Sequence, residues 1–178
     1  MTERSREYGE GLYALCAEEK LAAQALEELR ALNRCFREQP DFLRLLSNLS
    51  LSREERLAIL DKILRNQVHP YVMNFCKILL EKGILYDFSD CVKAYETLYN
   101  QENGILEAVV TTAVPLEDAQ RQRLREKLSA MTGRQIVLKE RLDAALLGGV
   151  RLEMDGKRYD NTVQTRLNTL HQAISGRR

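Results

Sequence analysis

Residues 99–107 read YNQENGILE, and the fold of this chain turns on them. Before this stretch apolar residues recur at spacings of three and four, the mark of helices with one buried stripe. Beyond Gly104 they alternate, as in Ala108, Val110, Thr112 and Val114, which is the period of a strand with one buried face. The polar run Asn100 to Asn103 stops a helix, and the glycine after it is the boundary. The reading is a mostly α chain: a six-helix N-terminal bundle over 1–103, followed by a small α+β domain over 104–178. Charge divides at the same place. The first part holds 14 basic and 17 acidic residues, net −3, and the second 13 and 9, net +4, so the halves are expected to meet different partners.

Working back towards the N-terminus, each helix has its own signals. Val92, Tyr95, Leu98 and Tyr99 give the sixth one apolar side. The fifth is PYVMNFCKILLEKG (70–83), with Pro70 suited to a first helical position and Gly83 to a C-terminal stop. Ser52 and Glu55 form a capping box opening a fourth, which carries Leu57, Leu60 and Leu64. PDFLRLLSNL (40–49) groups Phe42, Leu45, Leu46 and Leu49 on a short third helix. Leu21 to Leu32 make a second, and Tyr8, Leu12, Leu15 and Cys16 one face of the first.

In the fifth helix Tyr71, Val72, Met73, Phe75, Cys76, Ile78, Leu79 and Leu80 cover an arc of roughly 220°, about twice the stripe a surface helix requires. Two readings follow: a central helix surrounded by its own bundle, or one that packs inward on one side and leaves the other as the wall of a groove for a partner helix.

Towards the C-terminus, Pro115 ends the first strand. Glu117 and Asp118 open a helix bearing Leu124, Leu128 and Met131, which Gly133 stops, and Ile136, Leu138 and Leu142 return as strand. Val150, Leu152 and Met154 then alternate up to Asp155-Gly156, a two-residue hairpin turn, and Lys157 to Tyr159 run back. Asn161 and Gln164 fit a capping box, and Val163, Leu167, Leu170 and Ile174 recur at helical spacing. Read from the residues alone, this end is a structural element that closes a small domain.

The chain of 178 residues, 44% hydrophobic, has enough apolar material for a real core. With 27 basic against 26 acidic residues, no overall field gathers nucleic acid. Arg121, Arg123, Arg125 and Lys127 crowd one helix, yet residues two apart do not share a face, so they read as a solvated surface. No run of about 18 apolar residues occurs, and MTERSREYGE is too polar for a signal or transit peptide, so the chain is expected to stay where it is made, without direct membrane insertion. Cys16, Cys35, Cys76 and Cys91 lack CxxC pairing and read as reduced, small hydrophobes.

A search for catalytic or ligand-binding chemistry finds little. His69 and His171 have no metal-ligand spacing. Glu18-Glu19, Glu27-Glu28 and Glu54-Glu55 are neighbours on helices, diverge by about 100° and read as solvated charge. Gly148-Gly149 precedes a strand, where a phosphate cradle would precede a helix. No enzyme, metal or cofactor is expected.

Gly148-Gly149-Val150, Asp155-Gly156-Lys157, Asp160-Asn161-Thr162-Val163 and Arg166-Leu167 together resemble the C-terminal signature of the delta-subunit family of F-type ATP synthases, which includes the mitochondrial oligomycin sensitivity-conferring protein. The family usually has Gly-Ser at Asn161-Thr162, and Arg and Gly at Gln164 and Thr165. Tyr8-Gly9-Glu10-Gly11-Leu12-Tyr13 is similar to its opening Tyr-Ala-x-Ala-Leu helix, with glycine for both alanines, and NFCKILLEKGIL (74–85) resembles its fifth helix.

The resemblance implies a non-catalytic stator part with no cofactor. Its N-terminal domain grips the N-terminal helices of the alpha subunits on the catalytic head, and its C-terminal domain holds the b subunits of the peripheral stalk, so that the head does not turn with the rotor. It implies an alpha-subunit site between the first and fifth helices, at Tyr8, Gly11, Leu12, Leu15, Asn74, Phe75 and Ile78, and a stalk site at Val163, Arg166, Leu167 and Leu170. Together with the missing transit peptide, it points to a peripheral position on the cytoplasmic side of a bacterial cell membrane. Two rivals stand beside it: an RNA- or ribosome-associated protein built on the α+β part, and an enzyme, which a bound cofactor would support.

Overall fold

The computed structural model describes residues 2–48, 50–146 and 148–162, and the chain falls into two compact units, Met1–Tyr99 and Asn100–Arg178. The first contains α1 (Glu3–Glu18), α2 (Ala22–Glu38), α3 (Pro40–Leu46), α4 (Arg53–Leu64), α5 (Pro70–Glu81), a short 3-10 turn (Leu85–Asp87) and most of α6 (Phe88–Glu102). The division falls a few residues before Gly104. Leu98 and Tyr99 are the last side chains of α6 packed on the helical core, and the polar turn Asn100-Gln101-Glu102 adds nothing to it.

The core of the first unit gathers Leu12, Leu29, Leu60, Val72, Cys76, Leu79, Phe88, Cys91 and Tyr95, all buried. Aromatic edges lock its helices: Tyr13 meets Tyr95 with ring centroids 5.2 Å apart at 83°, and Phe36 meets Phe88 at 5.0 Å and 84°. The Tyr95 hydroxyl donates to the Ala22 carbonyl at 3.0 Å, so the buried phenol is satisfied. The three most enclosed thiols, Cys16, Cys76 and Cys91, are free, and burial pushes Cys76 up to about 12.

The first helix turns differently from the expected face. Gly9, Leu12, Tyr13 and Cys16 point inward with Ser5, while Tyr8 is half-buried and Leu15 is 42% exposed. The reason lies at Gly9, where an added Cβ would fall 2.8 Å from the Ala94 Cβ and closer still to the Cys91 carbonyl oxygen. Without a side chain there α1 packs tightly on α6, and this seam rotates the helix. In α3 Leu46 is buried but Leu45 is exposed, and Leu49 lies outside the described residues.

The second unit builds one four-stranded sheet from β1 (Ile105–Thr112), β2 (Gln135–Leu142), β3 (Gly149–Met154) and β4 (Lys157–Thr162), in the order β2-β1-β3-β4. The β1–β2 pair is parallel and crosses over through α7 (Asp118–Thr132), while β1–β3 and β3–β4 are antiparallel. Leu124 and Leu128 of α7 cover Leu106, Ala108, Ile136, Leu138, Leu152 and Met154 on one sheet face. Ion pairs cross the strands: Lys139 with Glu107 at 2.5 Å, Arg151 with Asp160 at 3.1 Å and Arg158 with Glu153 at 2.8 Å.

Asp155 and Gly156 take the left-handed backbone a two-residue turn needs, with φ of 54° and 72°, and Gly133 stops α7 at φ 67°. Three expected core positions lie outside the core: Val114 is past the end of β1, Met131 is 77% exposed at the last turn of α7, and Leu142 is 62% exposed at the end of β2. Strand β4 continues through Asn161 and Thr162, so Asn161 is a strand residue instead of a helix cap. Hydrogen bonding to β3 in register, with Val150 opposite Asn161, outcompetes the cap. The terminal helix expected from Val163 onward lies outside the described residues.

Candidate functional site: the surface shared by α1 and α5

Helix α5 is capped in a way its sequence hides. His69 stands at the N-cap, where its Nδ1 accepts the Tyr71 backbone N–H at 3.3 Å and its ring lies edge-on to Tyr71, 4.9 Å between centroids. The His69 backbone N–H donates to Glu28 of α2 at 2.7 Å. Glu28 is therefore a tether to the α5 cap as well as a charge. Glu55 too has a task, since its carboxylate accepts the Ser52 N–H at 2.8 Å while Ser52 Oγ accepts the Glu55 N–H at 3.1 Å. The Glu55 role was legible as the Ser52–Glu55 capping box, whereas the Glu28 tether was not. The histidine before Pro70 is the signal that marks the α5 cap itself.

Held this way, α5 buries Val72, Met73, Phe75, Cys76, Leu79 and Leu80, leaving Asn74 exposed and Ile78 43% exposed. Lys77 is drawn to Asp61 of α4 at 2.5 Å, and that hydrogen bond holds the Asp61 carboxyl below its ordinary range. Helix α1 packs against α5. On α1 Tyr8 is half-buried and Gly11 and Leu15 are exposed, on α5 Asn74 and Ile78 are exposed, and Leu12 and Phe75 are buried in the core. A Cβ on Gly11 would meet nothing within 4 Å, so the surface is open there. At one end, Arg4, Glu7 and Tyr8 of α1, with Lys82 and Ile84 after α5, line a pocket of about 400 Å³.

The surface offers apolar side chains flanked by an amide and a few charges, the pattern of a surface that receives an amphipathic helix. No cluster of three or more metal-ligating side chains occurs among the described residues, and no described helix is long and apolar enough to cross a membrane. In the second unit Arg121 is ion-paired with Asp118 and Glu140, which removes one charge from the basic run of α7. The stalk residues Val163, Arg166, Leu167 and Leu170 lie outside the described residues.

The family described as ATP synthase delta (OSCP) subunit matches residues 5–174. The ATP synthase subunit delta of Alkaliphilus oremlandii is 31% identical over 96% of this chain and 95% of its own, and that of Acidiphilium cryptum 29% over 97% and 88%. Among solved structures, a chain of the Toxoplasma gondii mitochondrial ATP synthase hexamer shares the fold with a TM-score of 0.78 at 17% identity, each chain covered to 98%. The family match over nearly the whole length and relatives of the same length agree: the chain belongs to the ATP synthase delta (OSCP) subunit family, the non-catalytic stator components of the F-type ATP synthase.

Proposed function

We propose that this protein links the catalytic head of the synthase to its peripheral stalk and resists the torque of the rotor. The first unit grips the N-terminal helices of the alpha subunits through the α1–α5 surface, at Tyr8, Gly11, Leu15, Asn74 and Ile78, with Leu12 and Phe75 supporting it from the core. The second unit, with Val163, Arg166, Leu167 and Leu170, holds the b subunits. Two moderate grips on one assembly act together as an avid one, which suits a part that bears load without covalent attachment. As part of a membrane-associated complex, it acts as a peripheral subunit on the cytoplasmic side of a bacterial membrane.

One observation carries the head contact: Ile78 and Leu15 stay half-exposed on adjoining helices whose other apolar residues are largely buried. Burying this strip under a partner helix recovers hydrophobic free energy that the isolated unit leaves unused. Ile78→Asp places a carboxylate that must be desolvated on that strip, and should weaken binding of an alpha-subunit N-terminal peptide by roughly 2–4 kcal/mol. The fold should survive because the side chain is not in the core. Peptide titration of the variant, with circular dichroism beside it, makes the measurement. Unchanged affinity removes Ile78 from the site.

A further inference from the structure

A second surface on the first unit has no part in the proposal above. Helices α2 and α6 run antiparallel: Ala22 meets Tyr95 at one end, and Phe36 meets Phe88 at the other. Between them opens a cleft of about 610 Å³, lined by Arg30, Asn33, Arg34, Arg37 and Glu38 of α2 and by Val92, Lys93 and Glu96 of α6. Arg30, Arg34 and Arg37 follow one another at i, i+4 and i+7, and so line one face over about 10 Å.

The charges in this cleft are unequally occupied. Arg30 is tied to Glu96 across the cleft and to Glu27 on its own helix, and Lys93 lies 3.2 Å from Asp90. Arg34 and Arg37 are exposed and have no ion-pair partner among the described residues. Residues 1–103 have an acidic excess, yet this cleft has four cationic side chains against two carboxylates. Guanidinium groups present planar forks matched to carboxylates, and Arg30 already donates one N–H to each of two carboxylates, those of Glu27 and Glu96.

We propose that the α2–α6 cleft is a docking site for an acidic peptide segment, with Arg34 and Arg37 as its carboxylate receptors and Asn33 beside them for a backbone group. The chemistry selects this occupant. Glu38 and Glu96 on the walls repel a continuous polyanion, which excludes nucleic acid, whereas separate carboxylates at helical spacing can meet the two arginines and avoid the two glutamates. The apolar floor at Val92 is small and buried, so binding rests on charge and weakens with salt.

The test uses the full-length chain and a short fluorescein-labelled helical peptide with glutamates at i, i+4 spacing, followed by anisotropy. Wild type should bind, the glutamine version of the peptide should not, and affinity should fall as salt rises. Arg34→Glu with Arg37→Glu should weaken binding at least about tenfold. The charge-matched pair Arg123→Glu with Arg125→Glu, exposed on α7, should change it less than about twofold. Both double variants replace exposed side chains, and circular dichroism checks their fold. The proposal is overturned if wild type does not bind, if both double variants lose affinity equally, or if inorganic phosphate competes as well as the peptide. It is also overturned if vesicles containing phosphatidylglycerol bind at Arg34 and Arg37 in place of the peptide. Ile78→Asp should leave binding of this probe unchanged, which separates it from the α1–α5 surface.

Discussion

Gly9 and Gly11 lie two positions apart in α1. The molecule treats them in opposite ways. Gly9 faces the Cys91 carbonyl and the Ala94 methyl of α6, with no room for a Cβ, whereas Gly11 faces open space. Gly9→Ala should cost about 1–3 kcal/mol, because the nearest obstacle is a backbone oxygen that can move only with its helix. That exceeds the roughly 1 kcal/mol that alanine gains in helix propensity. Gly11→Ala should instead stabilise the chain by up to about 1 kcal/mol. Urea unfolding of the two variants checks this, and a stabilised Gly9→Ala would mean that α1 and α6 lie farther apart. The sequence shows two equivalent glycines; only the packing partner, eighty-odd residues away, distinguishes them.

Among the elements, the helices with explicit terminal signals were the most legible. Ser52 with Glu55, Pro70, and Gly133 all sit where their local chemistry predicts, since each acts on backbone groups within a few residues. Orientation was less legible. Tyr8 and Leu15 fit an apolar stripe as well as Gly9 and Tyr13 do, and the choice between them was made by the partner helix. The 3-10 turn at Leu85–Asp87 is too short to have a period, and β4 outran its expected end because pairing with β3 is a tertiary term. The Ser52 box gives a prediction at this scale. Ser52→Ala should cost about 1 kcal/mol through the lost cap. The Ser52 backbone N–H, and then its hydroxyl, hold the Glu55 carboxyl below its usual range. A depressed folded pKa means stability that is present above the unfolded value and lost as pH falls through the folded one. The stability difference between wild type and Glu55→Gln should therefore be seen at neutral pH and fade below about pH 4. Parallel thermal melts at several pH values measure it, and a difference that grows on acidification contradicts the assignment.

At the scale of the whole molecule, the period changes at Gly104, and the chain divides into two compact units after Tyr99, near the end of α6. We predict that the two grips are separable. A fragment of residues 1–103 keeps α6 complete to Glu102, where a cut at Tyr99 would remove its last turn. It retains the helical core, the Ser52–Glu55 capping box, the His69 cap with its Glu28 tether, and both helices of the proposed groove. It should fold alone as a helical bundle, melt cooperatively and bind the alpha-subunit peptide with the affinity of the full chain. It should not retain the b subunits. The complementary piece, 104–178, is near the size at which a lone core is marginal, and its described core is five buried residues around one helix and a sheet. It should melt at a lower temperature and gain stability when b is added, by mass action on the folded form. Pull-down of b by each fragment, with melts of both, decides the matter: if residues 1–103 alone capture b, the partners have been assigned to the wrong units.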